Sequence, residues 1–178
     1  HLSAYHLTYE KGTLLYQQKK ENKILAIDEN LSNTMFIALV EKLEKVGLKQ
    51  YEISNFSLKS YESKHNSSYW DGKKYLGIGP SAHSFDGVSR QWNVASLDKY
   101  INNVTTQTQI EEIEVLSEEQ QKNEFIITRL RTIKGIDIHE FSLLFGSLAA
   151  NNLIKQANKY LKTNLLDLTN NTLKLTRK

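Results

Sequence analysis

An imidazole stands four residues ahead of two large flat rings in His65-Asn66-Ser67-Ser68-Tyr69-Trp70. A free imidazole nitrogen can ligate iron, and the faces of Tyr and Trp can stack on a planar ligand. The same run also reads as an ordered loop pinned by Asn66 hydrogen bonds and an aromatic cluster. Gly77-Ile78-Gly79 comes next. Two missing Cβ atoms there permit close backbone approach to a ligand. A dinucleotide fingerprint needs a third glycine opening a helix, which is absent, and a bend in a strand accounts for the pair as well. His83 and Ser84 suggest a base and a nucleophile, but neighbours in a strand point to opposite faces. No carboxylate that could orient His83 is recognisable, so no catalytic residue is assigned. Glu52, inside Tyr51-Glu52-Ile53-Ser54-Asn55-Phe56, either lines a pocket or faces solvent.

The elements that must hold these residues follow from periodicity and capping. Residues 2–10 carry bulk on both alternating faces and read as a strand covered on both sides. Thr13 can cap a short helix to about residue 20. Asp28 is an N-cap, and Leu31, Met35, Ile37, Ala38, Leu39, Leu43 and Val46 recur at helical spacing up to Gly47. Residues 49–56 read as a second strand, and strand–helix–strand order favours parallel pairing of the two strands. Residues 57–93 read as loop and extended chain, and Ser96 caps a short helix ending near Val104. A polar linker spans 105–112. Ser117 and Gln120 then form a capping box, and helices are expected from there to Gly135, from Asp137 to Gly146, and over 147–162. Leu165 to Thr176 alternates around Asn170-Asn171, which is a hairpin signal. Three helices and a hairpin resemble a winged-helix module. Its third helix carries Lys155, Lys159 and Lys162 but no arginine. A phosphate-tracking surface has more, so no nucleic-acid partner is expected.

Composition bounds the rest. A chain of 178 residues with 39% apolar content can build a real core, burying roughly 70% of its unfolded surface. Lys and Arg number 23 against 20 Asp and Glu, mixed along the chain, which gives little support to a polyanion partner. With no cysteine, disulfides, thiolate zinc sites and cysteine-held iron–sulfur clusters are excluded from this chain. No run of 18 apolar residues marks a membrane span, and no signal peptide is visible. The chain opens at His1 within a strand-like run, and is read as a piece of a longer protein.

Several runs occur together in one order. They are Ala4-Tyr5-His6-Leu7-Thr8-Tyr9-Glu10-Lys11-Gly12-Thr13, Tyr51 to Phe56, His65-Asn66-Ser67-Ser68-Tyr69-Trp70, Tyr75-Leu76-Gly77-Ile78-Gly79, Ala82-His83-Ser84 and Arg90-Gln91-Trp92-Asn93. In that order the chain resembles the C-terminal part of the HemW-type heme chaperones. These are radical S-adenosylmethionine proteins long grouped with oxygen-independent coproporphyrinogen III oxidase. The H-N-x-x-Y-W run matches the motif that separates the chaperones from the true oxidases. A cysteine often stands two residues before the motif's histidine in that family, and Ser63 stands there in this chain.

The resemblance implies an α+β fold. Residues 1–56 would be the end of a radical S-adenosylmethionine barrel, a βαβ remnant. Residues 57–112 would be an extended accessory segment, and 113–178 a winged-helix-like module. It implies heme binding by His65, Asn66, Tyr69 and Trp70, with His65 near the iron. It implies contact of Gly77, Ile78 and Gly79 with S-adenosylmethionine. The family's 4Fe–4S cluster sits on a C-x-x-x-C-x-x-C loop near the N-terminus. This chain lacks those cysteines, so the cluster and the cofactor chemistry belong to the full-length protein only, and the chain alone is expected to be inactive. The function implied is cytoplasmic heme binding and delivery to acceptor proteins, with peripheral membrane contact through those acceptors. An unpaired strand edge leaves room for a homodimer. The alternative is an oxygen-independent coproporphyrinogen III dehydrogenase in porphyrin biosynthesis.

Overall fold

In the computed structural model, which describes residues 1–109 and 111–177, the chain forms two units, His1–Ser63 and Lys64 onward. The first holds β1 (Leu2–Ser3), α1 (Leu14–Lys20), α2 (Glu29–Lys45), β2 (Lys49–Glu52) and β3 (Asn55–Ser57). Both helices begin as their caps predict. The Thr13 hydroxyl accepts from the Tyr16 N–H, and Asp28 Oδ1 from the Leu31 N–H at 2.8 Å.

Three expectations for this unit need correction. The strand expected over residues 2–10, covered on both sides, is only Leu2–Ser3, and both residues are exposed. Tyr51–Phe56 is not one strand but a turn between β2 and β3. Buried Glu52 causes it: its Oε1 accepts from the Ser54 N–H at 3.0 Å and from Asn55 Nδ2, so the chain doubles back. Nor do the flanking strands pair directly. The sheet order is β1-β3-β2, with β3 antiparallel to both neighbours. The expected βαβ partners run parallel, with the returning strand inserted between them. Phe56, fully buried, with Tyr51 and Val40 forms the core of this unit. Leu31, Met35, Phe36 and Ile37 of α2 remain exposed.

The second unit begins with α3 (Lys64–Trp70), β4 (His83–Phe85), β5 (Ser89–Asn93), α4 (Leu97–Thr106) and β6 (Glu111–Val115). The segment expected as loop and extended chain thus contains a helix. Seven residues with polar Asn66, Ser67 and Ser68 in the middle carry no apolar period that would reveal it. The expected linker is also mostly regular: α4 runs to Thr106 and β6 starts at Glu111, while Ile110 lies outside the described residues. Strands β4, β5 and β6 form an antiparallel meander.

The chain ends in α5 (Glu118–Leu130), β7 (Ile136–Asp137), α6 (Ile138–Phe145), α7 (Ser147–Lys162), β8 (Leu166–Thr169) and β9 (Thr172–Leu175). The capping box is complete, with Ser117 and Gln120 each accepting from the other's N–H. Strand β9 pairs with both β7 and β8. Ile136, Phe141, Ala150, Ala157, Leu166 and Leu173 form the core, against which Phe125 and Phe145 pack. Three helices and a hairpin closed by a short third strand give the winged-helix-like arrangement that the periodicity predicts, and the fold as a whole is α+β.

Candidate functional site

Spacing of four on a helix puts two side chains on one face. Helix α3 accordingly sets His65 beside Tyr69. The Tyr69 hydroxyl lies 3.2 Å from His65 Nε2, and the rings meet edge to face at 5.0 Å. Tyr75 also packs on Tyr69 edge to face, with centroids 4.8 Å apart. Phe85 follows at 6.2 Å from Tyr75. Tyr75 and Phe85 exchange backbone hydrogen bonds of 2.9 Å in both directions, which locks this end of the ladder to β4. Burial pushes the Tyr75 phenol above its ordinary pKa, so it stays protonated.

The ladder borders a cleft of about 640 Å³. Tyr69, Trp70, Tyr75 and Phe85 line it from the α3 and β4 side, and Phe125 and Phe145 from α5 and α6. Six aromatic residues therefore line one space, of a size that takes a small organic ligand. Trp70 carries the Arg131 guanidinium over its ring at 4.5 Å. Its buried indole N–H has no hydrogen-bond partner among the described residues. An unmade buried donor is costly, and a ligand acceptor would satisfy it.

Charges in the lining are paired. Arg90 bonds Glu124, and Arg129 bonds Asp71 at 2.9 Å and Glu140 at 3.0 Å. Lys134 reaches Asp71 from outside at 3.2 Å. Arg129 also lies over the Phe125 ring at 5.0 Å. The ion pairs tie α5 and α6 to the end of α3 and leave the aromatic faces as the cleft's main binding surface.

Of the four residues expected to hold heme, Tyr69 and Trp70 line the cleft, while His65 and Asn66 do not. His65 is exposed and reaches the cleft only through Tyr69. The glycine loop lies elsewhere in the same unit. A Cβ on Gly77 would fall 2.2 Å from the His83 carbonyl oxygen, so close chain packing requires glycine there. Gly77 N–H donates to Ser84 Oγ at 2.9 Å and Gly79 N–H to Tyr100 Oη at 3.2 Å. Asn93 Nδ2 donates to the Gly79 carbonyl at 2.8 Å. The Ile78 side chain, 83% exposed, projects from this tied-down loop. His83 and Ser84 face opposite sides of β4: Ser84 is buried, and exposed His83 sits against Trp92.

Sequence reading did not single out Arg129, Asp71, Phe125 and Phe145 as cleft residues. Nothing local marks them, because Arg129 and Asp71 are 58 positions apart and the two phenylalanines carry an ordinary core pattern. Among the described residues no three His, Asp or Glu side chains converge as a metal site. No helix among them is long and apolar enough to cross a membrane.

Residues 116–178 match the family model described as HemN C-terminal domain. The chain is similar to the heme chaperone HemW of Lactococcus lactis, with 32% identity over 145 residues, covering 82% of this chain and 38% of that protein. The heme chaperone HemW of Bacillus subtilis is also 32% identical, over 148 residues, covering 82% and 39%. The mitochondrial radical S-adenosyl methionine domain-containing protein 1 of Dictyostelium discoideum is 28% identical over 99% of this chain and 46% of its own length. In three dimensions the chain resembles coproporphyrinogen III oxidase (HemN) from Escherichia coli, a radical SAM enzyme. The TM-score is 0.66 at 16% identity, over 90% of this chain and 41% of that one. The chain spans about two-fifths of the length of the HemW relatives it matches.

Proposed function

We propose that the chain is the C-terminal part of a heme chaperone, since residues 116–178 match the HemN C-terminal domain model and the chain is similar to HemW over four-fifths of its length. The protein would bind heme in the cytoplasm and hand it to acceptor proteins. The observation that carries this reading is the aromatic cleft. Six aromatic residues are among those lining about 640 Å³, and two of them, Tyr69 and Trp70, belong to the H-N-x-x-Y-W run. Heme is large, flat and apolar on both faces, so aromatic burial supplies the binding energy. Tyr69 and Trp70 would offer their rings to the heme faces, with His65 and Asn66 on the same short helix outside the cleft lining.

The residues present do not fit a 4Fe–4S cluster, since the chain has no cysteine. S-adenosylmethionine would meet the glycine loop at Ile78. The Gly77 and Gly79 N–H groups already have partners within the protein.

The test is titration of the full-length protein with ferric heme, followed by the Soret band. One heme per chain is expected, with affinity reduced about tenfold or more by Trp70→Ala, the scale of about 1.4 kcal/mol of lost packing. Equal affinity for wild type and Trp70→Ala would remove the cleft from the heme site. The fold shared with the Escherichia coli oxidase keeps an enzymatic reading in view. Anaerobic conversion of coproporphyrinogen III by the full-length protein would favour it over the chaperone.

A further inference from the structure

We propose that the outer edge of β6 is a docking site for an extended segment of a partner protein, one in which lysine or arginine alternates with aliphatic residues. In the sheet order β4-β5-β6, strand β6 is outermost and pairs on one side only. Leu116 N–H donates to the Val88 carbonyl at 3.0 Å. By the alternation of an antiparallel pair, Glu114 and Glu112 then also turn their backbone groups to β5, and Ile113 and Val115 turn theirs outward. Among the described residues neither of these two has a hydrogen bond on that outer side. The start of the edge is closed, with Gln109 Nε2 donating to the Glu111 carbonyl at 2.8 Å. An outer strand with unpaired N–H and C=O groups is a template for a further strand.

The side chains define the strand that fits. Glu112 and Glu114 are exposed on one face, and Ile113 and Val115, 51% and 70% exposed, on the other. Glu112 accepts from the Trp92 indole N–H at 3.1 Å and Glu114 from the Gln120 side-chain amide at 3.3 Å. Both donors are neutral, so two carboxylate charges remain on the edge. Arg90, directly across from Glu114 in the sheet, bonds Glu124 instead. Opposite charges facing each other across strands stabilise a pair, and like charges destabilise it. A second copy docked antiparallel about Ile113 would set Glu112 against Glu114 twice over. The edge therefore repels itself and selects a basic strand, whose aliphatic side chains meet Ile113 and Val115. Phe85 and Arg90 of the same sheet line the cleft, so a partner docked on β6 lies beside it. Docking there needs nothing bound in the cleft.

The experiment uses the full-length protein and three synthetic peptides: lysine alternating with valine, glutamate alternating with valine, and the lysines and valines in two separate blocks. Binding is read by calorimetry and by hydrogen exchange. The alternating lysine peptide is expected to bind, to slow exchange of the Ile113 and Val115 amides, and to weaken with added salt. The other two should bind about tenfold or more weakly. Ile113→Pro removes an outward N–H and no ladder bond, so it should fold and lose about tenfold or more in affinity for the lysine peptide. Glu114→Lys should also weaken the lysine peptide and should gain affinity for the glutamate peptide. It leaves the backbone unchanged, so it decides the matter should Ile113→Pro fail to fold. No binding of the alternating lysine peptide, equal binding of the block peptide, or an affinity that both variants retain would overturn the proposal. So would sedimentation of the wild type as a dimer that Ile113→Pro dissociates, since a second copy would then hold the edge.

Discussion

Arg129 Nη1 donates to Asp71 Oδ1 at 2.9 Å, joining helix α5 to the residue that directly follows Trp70. The pair is mostly shielded, with side chains 15% and 25% exposed. The cleft keeps its shape through this tie across 58 positions of chain.

Arg129→Ala should therefore cost stability on the order of 1–3 kcal/mol, between the values for exposed and buried pairs. It strips Asp71 and Glu140 of one partner together. Lys134→Ala removes a second, well-exposed contact of Asp71 and should cost less than about 0.5 kcal/mol. Urea unfolding of the two variants checks the order, and equal costs would contradict it.

Gly77 and Gly72 should respond differently to alanine. A Cβ on Gly77 meets backbone of His83 at 2.2 to 2.8 Å, and backbone cannot swing aside. Gly77→Ala should destabilise by about 3 kcal/mol. Gly72 has open space around a Cβ and only its positive φ of 66° as an obstacle, so Gly72→Ala should cost about 1 kcal/mol. Thermal melts that ranked them the other way would refute the close approach of Gly77 to β4.

Asp86 should contribute pH-dependent stability at the acid end. The Ser89 N–H, then the Val88 N–H and the Ser89 hydroxyl, hold its carboxylate charged and lower its pKa to about 2. The unfolded-state value is about 3.9. A folded pKa below the unfolded one gives stability that is complete above about pH 4 and lost as pH falls through about 2. Wild type should exceed Asp86→Asn in stability at pH 6, with the difference shrinking toward pH 2. Carboxyl chemical shifts followed through the titration give the same test directly.

Phe141 is 2% exposed and packs against Phe125 and Phe145. Phe141→Ala should cost about 3–5 kcal/mol. Two positions on, Leu143 is 74% exposed, and Leu143→Ala should change stability by less than about 0.5 kcal/mol. Denaturant midpoints distinguish the two, and a mild Phe141→Ala would mean the core lies elsewhere.

The elements legible in the sequence were those built from local signals. Asp28 and Ser117 mark helix starts because their side chains satisfy N–H groups within three residues. Asn170-Asn171 marks the β8–β9 hairpin because both residues accept positive φ. The H-N-x-x-Y-W run was visible as a ligand candidate from residue types alone.

Other features depended on side-chain contacts that no period records. Glu52 turned an apparent strand into a hairpin by capturing Ser54 and Asn55. The helical state of 64–70 was hidden by its polar middle. Sequence by itself determined the helices other than α3, the hairpin and the chemical types gathered at 65–70. Only the tertiary structure decided which of those types face the cleft. Spacing of four brings His65 and Tyr69 together but does not say which one looks inward. That depends on Phe125, Arg129 and Phe145 closing on the helix from residues more than fifty positions away.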